Sequence, residues 1–454
     1  MHFFSCNILG VYRIAVATLA LTSAVNICAA ETDLVNVFRR ALVNDNQFLS
    51  AGATNRAAQE LIPQAEALLL PNINMVGNLR ANGRRNLRAN ARPGTRQDSF
   101  FSGDLNLNIS QPIYRQDLRI QVAQANTQVA QADTTFAFAL QELIVRVADR
   151  YFDILAADDG LQFAKAERNA IEQQLVQSQQ RFDVGLIAIT DVEEARAGFD
   201  LAKALVIAAE NDLAGTFEAL REVTGEYHRN LSVLSSEMPP LMAPQPNNID
   251  AWTETALKNN RQLEAARLEV TRQRDEIRRI EAGHLPTVDI VGSSGLKFQS
   301  GNAISTNTQN WDTSVGLQLN MPIYRGGLVL SQSRGAQHTH QQALEDQESQ
   351  RRSTQRLARD SFRGVLSGMS RVQALKQAVR SAQSALDAIN AGFQVGTRTS
   401  VDVLDSQREL FSAQRDYSSA RYDYILSILR LKKAAGTLAP NDLVQVNGWL
   451  ASSP

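Results

Sequence analysis

Cysteine is all but missing from this chain: of 454 residues only Cys6 and Cys28 are cysteines, and both fall within the first thirty positions. Histidine is scarce, with five in all. These absences leave little from which to build a thiol or metal enzyme. His338 and His340 stand two apart in a helical pattern, where side chains diverge, so they are poorly spaced as metal ligands. No nucleophile–base set or phosphate-binding loop stands out, and the reading is a non-enzyme with no cofactor. Net charge is missing too, with 46 basic residues against 47 acidic ones. A nucleic-acid partner is normally met by a clear basic excess, so that class is set aside. Beyond the N-terminus no stretch approaches eighteen consecutive apolar residues, which excludes a transmembrane helix.

The first thirty residues read as an export signal. Arg13 precedes an apolar or small stretch from Ile14 to Ile27, and small residues follow at Cys28 and Ala30. The stretch is too short to span a bilayer and suits cleavage after Ala30. Residues 1–30 are therefore assigned to a signal peptide. Lipid attachment at Cys28 is disfavoured by its neighbours Asn26 and Ile27.

Proline is absent from Ile113 to Met238 and again from Ile323 to Ala439. Inside a helix proline costs about 3 kcal/mol, so two such stretches rich in Ala, Gln, Arg, Glu and Leu predict long helices. Gln121–Asp133 carries alanine and valine at three- and four-residue spacing, a narrow stripe suited to close helix packing. A single helix from Tyr114 to Phe182 would be about 100 Å long at roughly 1.5 Å per residue. Few globular domains house such a rod, and an antiparallel coiled coil does.

The two stretches are copies. Ser110-Gln-Pro-Ile-Tyr-Arg115 returns as Asn320-Met-Pro-Ile-Tyr-Arg325, and Phe182-Asp-Val-Gly185 as Phe393-Gln-Val-Gly396. Leu220 and Gly225 return as Leu431 and Gly436, while Ala41-Leu-Val-Asn44 matches Ala256-Leu-Lys-Asn259 upstream. Anchors in one order over this span mark a tandem duplication. The first repeat is placed at 31–238, with strands at about 71–112, a long helix at about 113–182, a hairpin at 183–190 and a helix at about 191–223. A proline-rich linker follows at 239–248. The second repeat takes 249–454, with strands at about 286–322, a long helix at about 323–393, a hairpin at 394–400 and a helix at about 401–435.

Each repeat also carries alternating segments of period two. Phe101, Leu105, Leu107 and Ile109 share one face of a strand, and Val315, Leu317, Leu319 and Met321 share one face of another. Ile73, Met75 and Leu79 repeat the pattern, with Val288 and Ile290 more weakly. The alternate positions are Asn, Asp, Gln and Ser. This favours membrane β-strands, lipid on one side and water on the other, over a soluble half-buried sheet. Four strands cannot close, since about eight are the minimum and an open edge in lipid leaves backbone groups unpaired. Two chains would supply eight strands and three would supply twelve. Between the first two strands, Ala81–Gln97 holds five arginines and reads as a solvated loop, with anionic lipid head groups as the competing partner.

The repeated Pro-Ile-Tyr-Arg corner, Arg181-Phe-Asp-Val-Gly-Leu-Ile-Ala-Ile-Thr-Asp191, Gly283-His-Leu-Pro286 and Val395-Gly-Thr-Arg-Thr-Ser-Val-Asp-Val-Leu-Asp405 resemble the TolC-type outer-membrane channel-tunnels. The resemblance runs from about Glu31 to Leu450. It implies an α+β membrane protein: a homotrimer whose twelve strands form one outer-membrane β-barrel and whose helices form one α-helical barrel through the periplasm. It further implies a passive exit duct for small toxic compounds or secreted proteins. A periplasmic adaptor and an inner-membrane transporter would be the partners, with outer-membrane lipid around the barrel.

At the hairpins, Gly185 and Gly396 supply the backbone freedom that a reversal needs. Thr190 with Glu193 has capping-box spacing for the following helix. By resemblance, Val184, Gly185, Leu186, Val395, Gly396 and Thr397 form tips that contact the adaptor. Asp402 and Asp405 lie three apart on one helix face. The family match places them in an acidic selectivity ring at the tunnel entrance, where a ring of carboxylates favours cations. The family's closed gate implies that Arg398 meets Thr190 and Asp191, with Gln174 in a second link. Two positions depart from the pattern: Phe393 replaces the gate tyrosine and Asn390 the gate glutamate. The competing reading is a periplasmic coiled-coil adaptor or chaperone without a barrel.

Overall fold

The computed structural model describes residues 32–85, 97–228, 230–235, 241–300 and 307–451. The residues expected to form a signal peptide, most of the arginine-rich stretch 81–97 and the first two residues of the expected linker lie outside the described residues. Three short helices open the chain: α1 (Leu34–Asn44), α2 (Asn46–Gln59) and α3 (Leu61–Ala67). Strands β1 (Asn72–Arg85) and β2 (Gln97–Tyr114) follow, then the long helices α4 (Gln116–Asp183) and α5 (Ile189–Thr224) and a short β3 (Val233–Leu234). The second half repeats the plan with α6 (Ile249–Asn259), α7 (Arg261–Glu281), β4 (Thr287–Gln299), β5 (Thr308–Asn320), α8 (Leu328–Gln394) and α9 (Ser400–Ala434). It ends with α10 (Pro440–Asn447) and β6 (Leu450–Ala451).

With 68 residues in α4 and 67 in α8, each long helix extends about 100 Å at roughly 1.5 Å per residue. Their burial follows heptads. Ala164, Glu167, Ile171, Gln174 and Ser178 are buried along α4 at alternating three- and four-residue steps, while Val365, Val372, Leu386 and Phe393 mark sevenfold steps along α8. That period keeps one narrow seam facing a partner and imposes a left-handed supercoil. Accordingly α4 runs against α5, and α8 against α9, as two antiparallel hairpins.

The largest core sits midway along these rods. Leu143, Val147, Tyr151 and Phe152 of α4 meet Leu34 and Phe38 of α1, Val365 and Val372 of α8, and Ile425 and Leu429 of α9. Tyr151 donates to the carbonyl of Ser232 at 2.6 Å. β3 pairs antiparallel with β6, which ties the end of the first repeat to the C-terminal segment.

The four longer strands form one antiparallel sheet in the order β1-β2-β4-β5. The register brings the apolar rows together on a single face: Met75 opposite Leu107, Ile73 opposite Ile109, Leu105 opposite Leu296, and Leu296 opposite Trp311. The side chains of Leu79, Val315 and Leu317 on this face are each 75% exposed or more. Polar groups on this face answer one another, Ser294 sharing a hydrogen bond with Thr313 at 2.9 Å while the Trp311 indole donates to Thr313 at 3.2 Å. The opposite face is a polar ladder in which Asn78 and Asn106 both donate to Asp104, at 3.0 and 2.7 Å. β1 and β5 are the two outer strands, each with one neighbour.

The two strand-to-helix corners differ. In the first repeat β2 continues through Tyr114 and α4 begins at Gln116, with Arg115 bridging Asp117 at 3.2 Å and Asp289 of β4 at 3.7 Å. In the second repeat the strand stops at Asn320 and the helix starts at Leu328, five residues later than the sequence pattern suggests. Gly326 and Gly327 stand where the first repeat has Gln116 and Asp117, and their φ values of 61° and 81° cannot continue an α-helix.

Candidate functional site

Both long hairpins turn in the same way at the end remote from the sheet. In the first, Gly185 has φ 76°, its N–H donates to Phe182, and Leu186 donates to Arg181. In the second, Gly396 has φ 79°, its N–H donates to Phe393, and Thr397 donates to Gly392. These are paired Schellman closures with glycine in the left-handed position. They leave Val184, Leu186 and Val395 at 70%, 73% and 75% exposure. Thr397 is exposed, its hydroxyl donating back to the Gly392 carbonyl.

The helices that follow start differently. α9 has a complete capping box: the Asp402 N–H donates to the Thr399 hydroxyl at 3.2 Å, and the Thr399 N–H donates to the Asp402 carboxylate at 2.9 Å. That N–H bond, with the Thr399 hydroxyl and the nearby Arg398 charge, holds the Asp402 carboxyl below the usual carboxylate range. α5 has no such box. It begins at Ile189 with Ala188 as its cap, so Thr190 lies inside the first turn and does not pair with Glu193. The capping box expected at Thr190 and Glu193 is therefore corrected; it belongs to Thr399 and Asp402.

Asp405 lies one turn beyond Asp402, exposed, and accepts from Arg408 at 3.4 Å. Arg408 itself leans over Gly198 of α5, where an added Cβ would stand 3.4 Å from the guanidinium. The two carboxylates thus share a helix face but not a state: Asp402 is turned towards its own helix end, and Asp405 faces a cation.

Gln174 is buried and donates to the Ser400 hydroxyl at 3.2 Å, and Ser178 shares a 3.4 Å contact with the same hydroxyl. Phe393 is buried beneath Arg181, whose guanidinium stands 4.4 Å above the ring centre. Asn390 is half-buried on the last turns of α8. Arg398 folds its aliphatic stem across Gly392. Among the described residues it forms no ion pair with Asp191 or hydrogen bond with Thr190 inside the protomer. The geometry thus joins Gln174 to the second hairpin and brings in Ser178, Ser400 and Arg181, which local spacing did not single out. Among the described residues no group of acids, histidines or cysteines is arranged to hold a metal ion.

The family model described as outer membrane efflux protein matches residues 37–226 and again 252–437, once for each repeat. The chain belongs to the outer membrane efflux protein family. Outer membrane protein TolC of Vibrio cholerae is 38% identical over 420 residues, covering 92% of this chain and 94% of that protein. The proteases secretion protein PrtF of Dickeya chrysanthemi is 28% identical over 429 residues, covering 93% and 92%. In fold, the chain superposes on the Campylobacter jejuni CmeC outer membrane channel with a TM-score of 0.76 at 16% identity, over 91% of this chain and 89% of that one. Like the family, this efflux protein is an outer-membrane exit duct whose helices extend into the periplasm. No described helix is long and apolar enough to cross a membrane.

Proposed function

We propose that three copies of the chain close one conduit, with twelve strands in the outer membrane and a tunnel of helices below. The observation that carries this reading is the sheet, hydrogen-bonded throughout its interior, apolar on one face, and unpaired along β1 and β5. Unpaired backbone groups in lipid cost several kcal/mol each, so a spanning sheet must have no edge. With four alternating strands per copy, β5 of one copy runs antiparallel to β1 of the next, and the alternation continues around a ring. Two copies would close eight strands, an interior that side chains fill, whereas twelve leave a passage lined by the Asn, Asp and Ser ladder. A coiled-coil adaptor has no use for such a sheet.

The hairpin tips form the periplasmic entrance. Exposed Val184, Leu186 and Val395, shaped by Gly185, Gly396 and Thr397, offer a small apolar knob to a periplasmic adaptor. An inner-membrane transporter supplies the energy and passes small molecules or secreted proteins into the duct. At the entrance Asp402 and Asp405 from three copies place six carboxylates around one opening. Arg408 partly offsets Asp405, so Asp402 carries the larger share of the field. Arg398, unpaired within its protomer among the described residues, is the group that reaches Asp191 and Thr190 of a neighbouring copy. Asn390 adds no charge to that contact.

Ion selectivity of the purified chain in a planar bilayer tests the reading. Asp402→Asn with Asp405→Asn keeps an acceptor for the Thr399 N–H and removes the charge. Cation preference is expected to fall towards that of a neutral pore; a preference equal to the parent's would refute the ring.

A further inference from the structure

A cavity of about 570 Å³ lies where the sheet gives way to the helices, lined on its sheet side by the polar-face residues Asp289, Gln318 and Asn320. Three arginines and three acids border it. Arg115 is held between Asp117 at 3.2 Å and Asp289 at 3.7 Å, and Arg279 donates to Glu276 at 2.8 and 2.6 Å. Those contacts answer every acid and leave Arg325, which is exposed and, among the described residues, forms neither an ion pair nor a side-chain hydrogen bond. Arg115 and Arg325 hold the same place in the repeated Pro-Ile-Tyr-Arg corner. Where the first corner has Asp117 the second has Gly327, and Asp289, three residues after Pro286, is matched by Asn74, three residues after Pro71. Both acids are gone and the arginine is kept. The side-chain amides of Gln318, Asn320 and Gln332 face the same cavity, exposed and without a hydrogen bond among the described residues.

We propose that Arg325, with the three amides around it, is a station for an oxyanion group, phosphate or carboxylate, of a passing solute, repeated in each copy at the neck of the conduit. The proposal rests on the exit-duct reading, which puts the polar face of the sheet on the bore. A planar guanidinium offers two parallel N–H donors to an oxyanion, which adds geometric fit to charge. Side-chain amides add neutral donors. With three positive and three negative side chains the cavity is neutral overall, so it holds an anion by contact and releases it readily, which suits a surface that cargo must leave. In the ring of copies, β1 of the next copy lies beside β5 as β4 lies beside β2, so Arg325 meets the next copy's Asn74 where Arg115 meets Asp289. An amide there is a fourth donor, whereas an acid would have tied up the arginine. The acidic entrance at Asp402 and Asp405 favours cations; the neck adds a foothold for the anionic end of a solute that has already passed it.

The test is the phosphorus NMR line width of inorganic pyrophosphate mixed with the purified full-chain complex at low ionic strength, where surface charges are least screened. A bound anion tumbles with the complex, so the line broadens with the bound fraction. The parent is expected to broaden it, and citrate to narrow it again by displacement. Arg325→Gln, which loses one charge-assisted contact, should weaken binding about tenfold. Asn74→Asp should weaken it comparably with Arg325 in place, since it supplies an acid that the second corner lacks. Arg380→Gln, at an exposed arginine far down α8, should behave as the parent. Parental broadening in Arg325→Gln or in Asn74→Asp, an equal loss in Arg380→Gln, or a line that citrate leaves broad would overturn the station. Planar-bilayer conductance of the same preparations separates the two readings: a conducting parent leaves the duct standing when the station fails, and a parent that forms no pore overturns both.

Discussion

Leu317 and Gln318 are neighbours on β5 that point to opposite faces of the sheet, and they separate the membrane reading from every soluble one. Leu317 is 75% exposed and sits directly opposite Ile290, while Gln318 sits opposite Asp289 on the polar face. The apolar row on this strand runs from Trp311 to Met321. That is about 33 Å along the strand at roughly 3.3 Å per residue, or about 25 Å of depth at a tilt of about 40°. Leu317 lies close to the middle of this band. Leu317→Arg therefore puts a cation near the bilayer centre at a cost of about 2–4 kcal/mol per chain, or about 6–12 kcal/mol over three copies. Gln318→Arg places the same cation in the aqueous lumen next to Asp289, at a cost close to zero. Urea unfolding of the chain refolded into lipid vesicles reads both. A destabilised Leu317→Arg beside a parent-like Gln318→Arg is expected. The reverse ranking would mean that the sheet faces are inverted, and tolerance of both would mean that the sheet does not meet lipid.

Two further outcomes follow from the hairpin geometry. Gly185→Ala or Gly396→Ala forces a side chain into a left-handed backbone at φ 76° or 79° and should destabilise by about 1–2 kcal/mol. Gly215→Ala, in the exposed middle of α5 with nothing near its Cβ, should instead stabilise by roughly 0.5–1 kcal/mol; equal melting of all three in thermal unfolding would contradict this. The depressed carboxyl of Asp402 sets a pH dependence. Its charge and its share of the α9 cap are present above the ordinary carboxylate value and are lost only as pH falls through the lowered one. Cation preference in the bilayer should therefore outlast the titration of ordinary aspartates, near pH 4, and its disappearance at that point would count against the role given to Asp402.

Much of the fold could be read locally because its signals are repeated. Proline-free stretches, heptad seams and the twin Phe-x-Val-Gly turns each report on a few consecutive residues. Alternation in Phe101–Ile109 and Trp311–Met321 fixes which face is apolar, and a one-residue slip in pairing would have reversed every side chain. The candidate site was less legible. Thr190 and Glu193 have the same spacing as Thr399 and Asp402, yet only the second pair caps a helix. The chain after Gly185 is apolar through Ile189 and enters the helix before Thr190, whereas Thr397-Arg398-Thr399 stays outside it. The link from Arg181 to Phe393 joins positions far apart in sequence, so no local pattern announces it; it depends on how the two hairpins are aligned along their lengths. The later start of α8 was visible in Gly326 and Gly327, which replace Gln116 and Asp117.

The most direct measurement is the number of chains in the detergent-solubilised complex, taken from its protein mass by light scattering. Three chains are expected, since each brings two open sheet edges and twelve strands leave a usable bore. A monomer that stays soluble, or a closed pair of chains, would contradict the claim that this sheet seals only by sharing its edges among three copies.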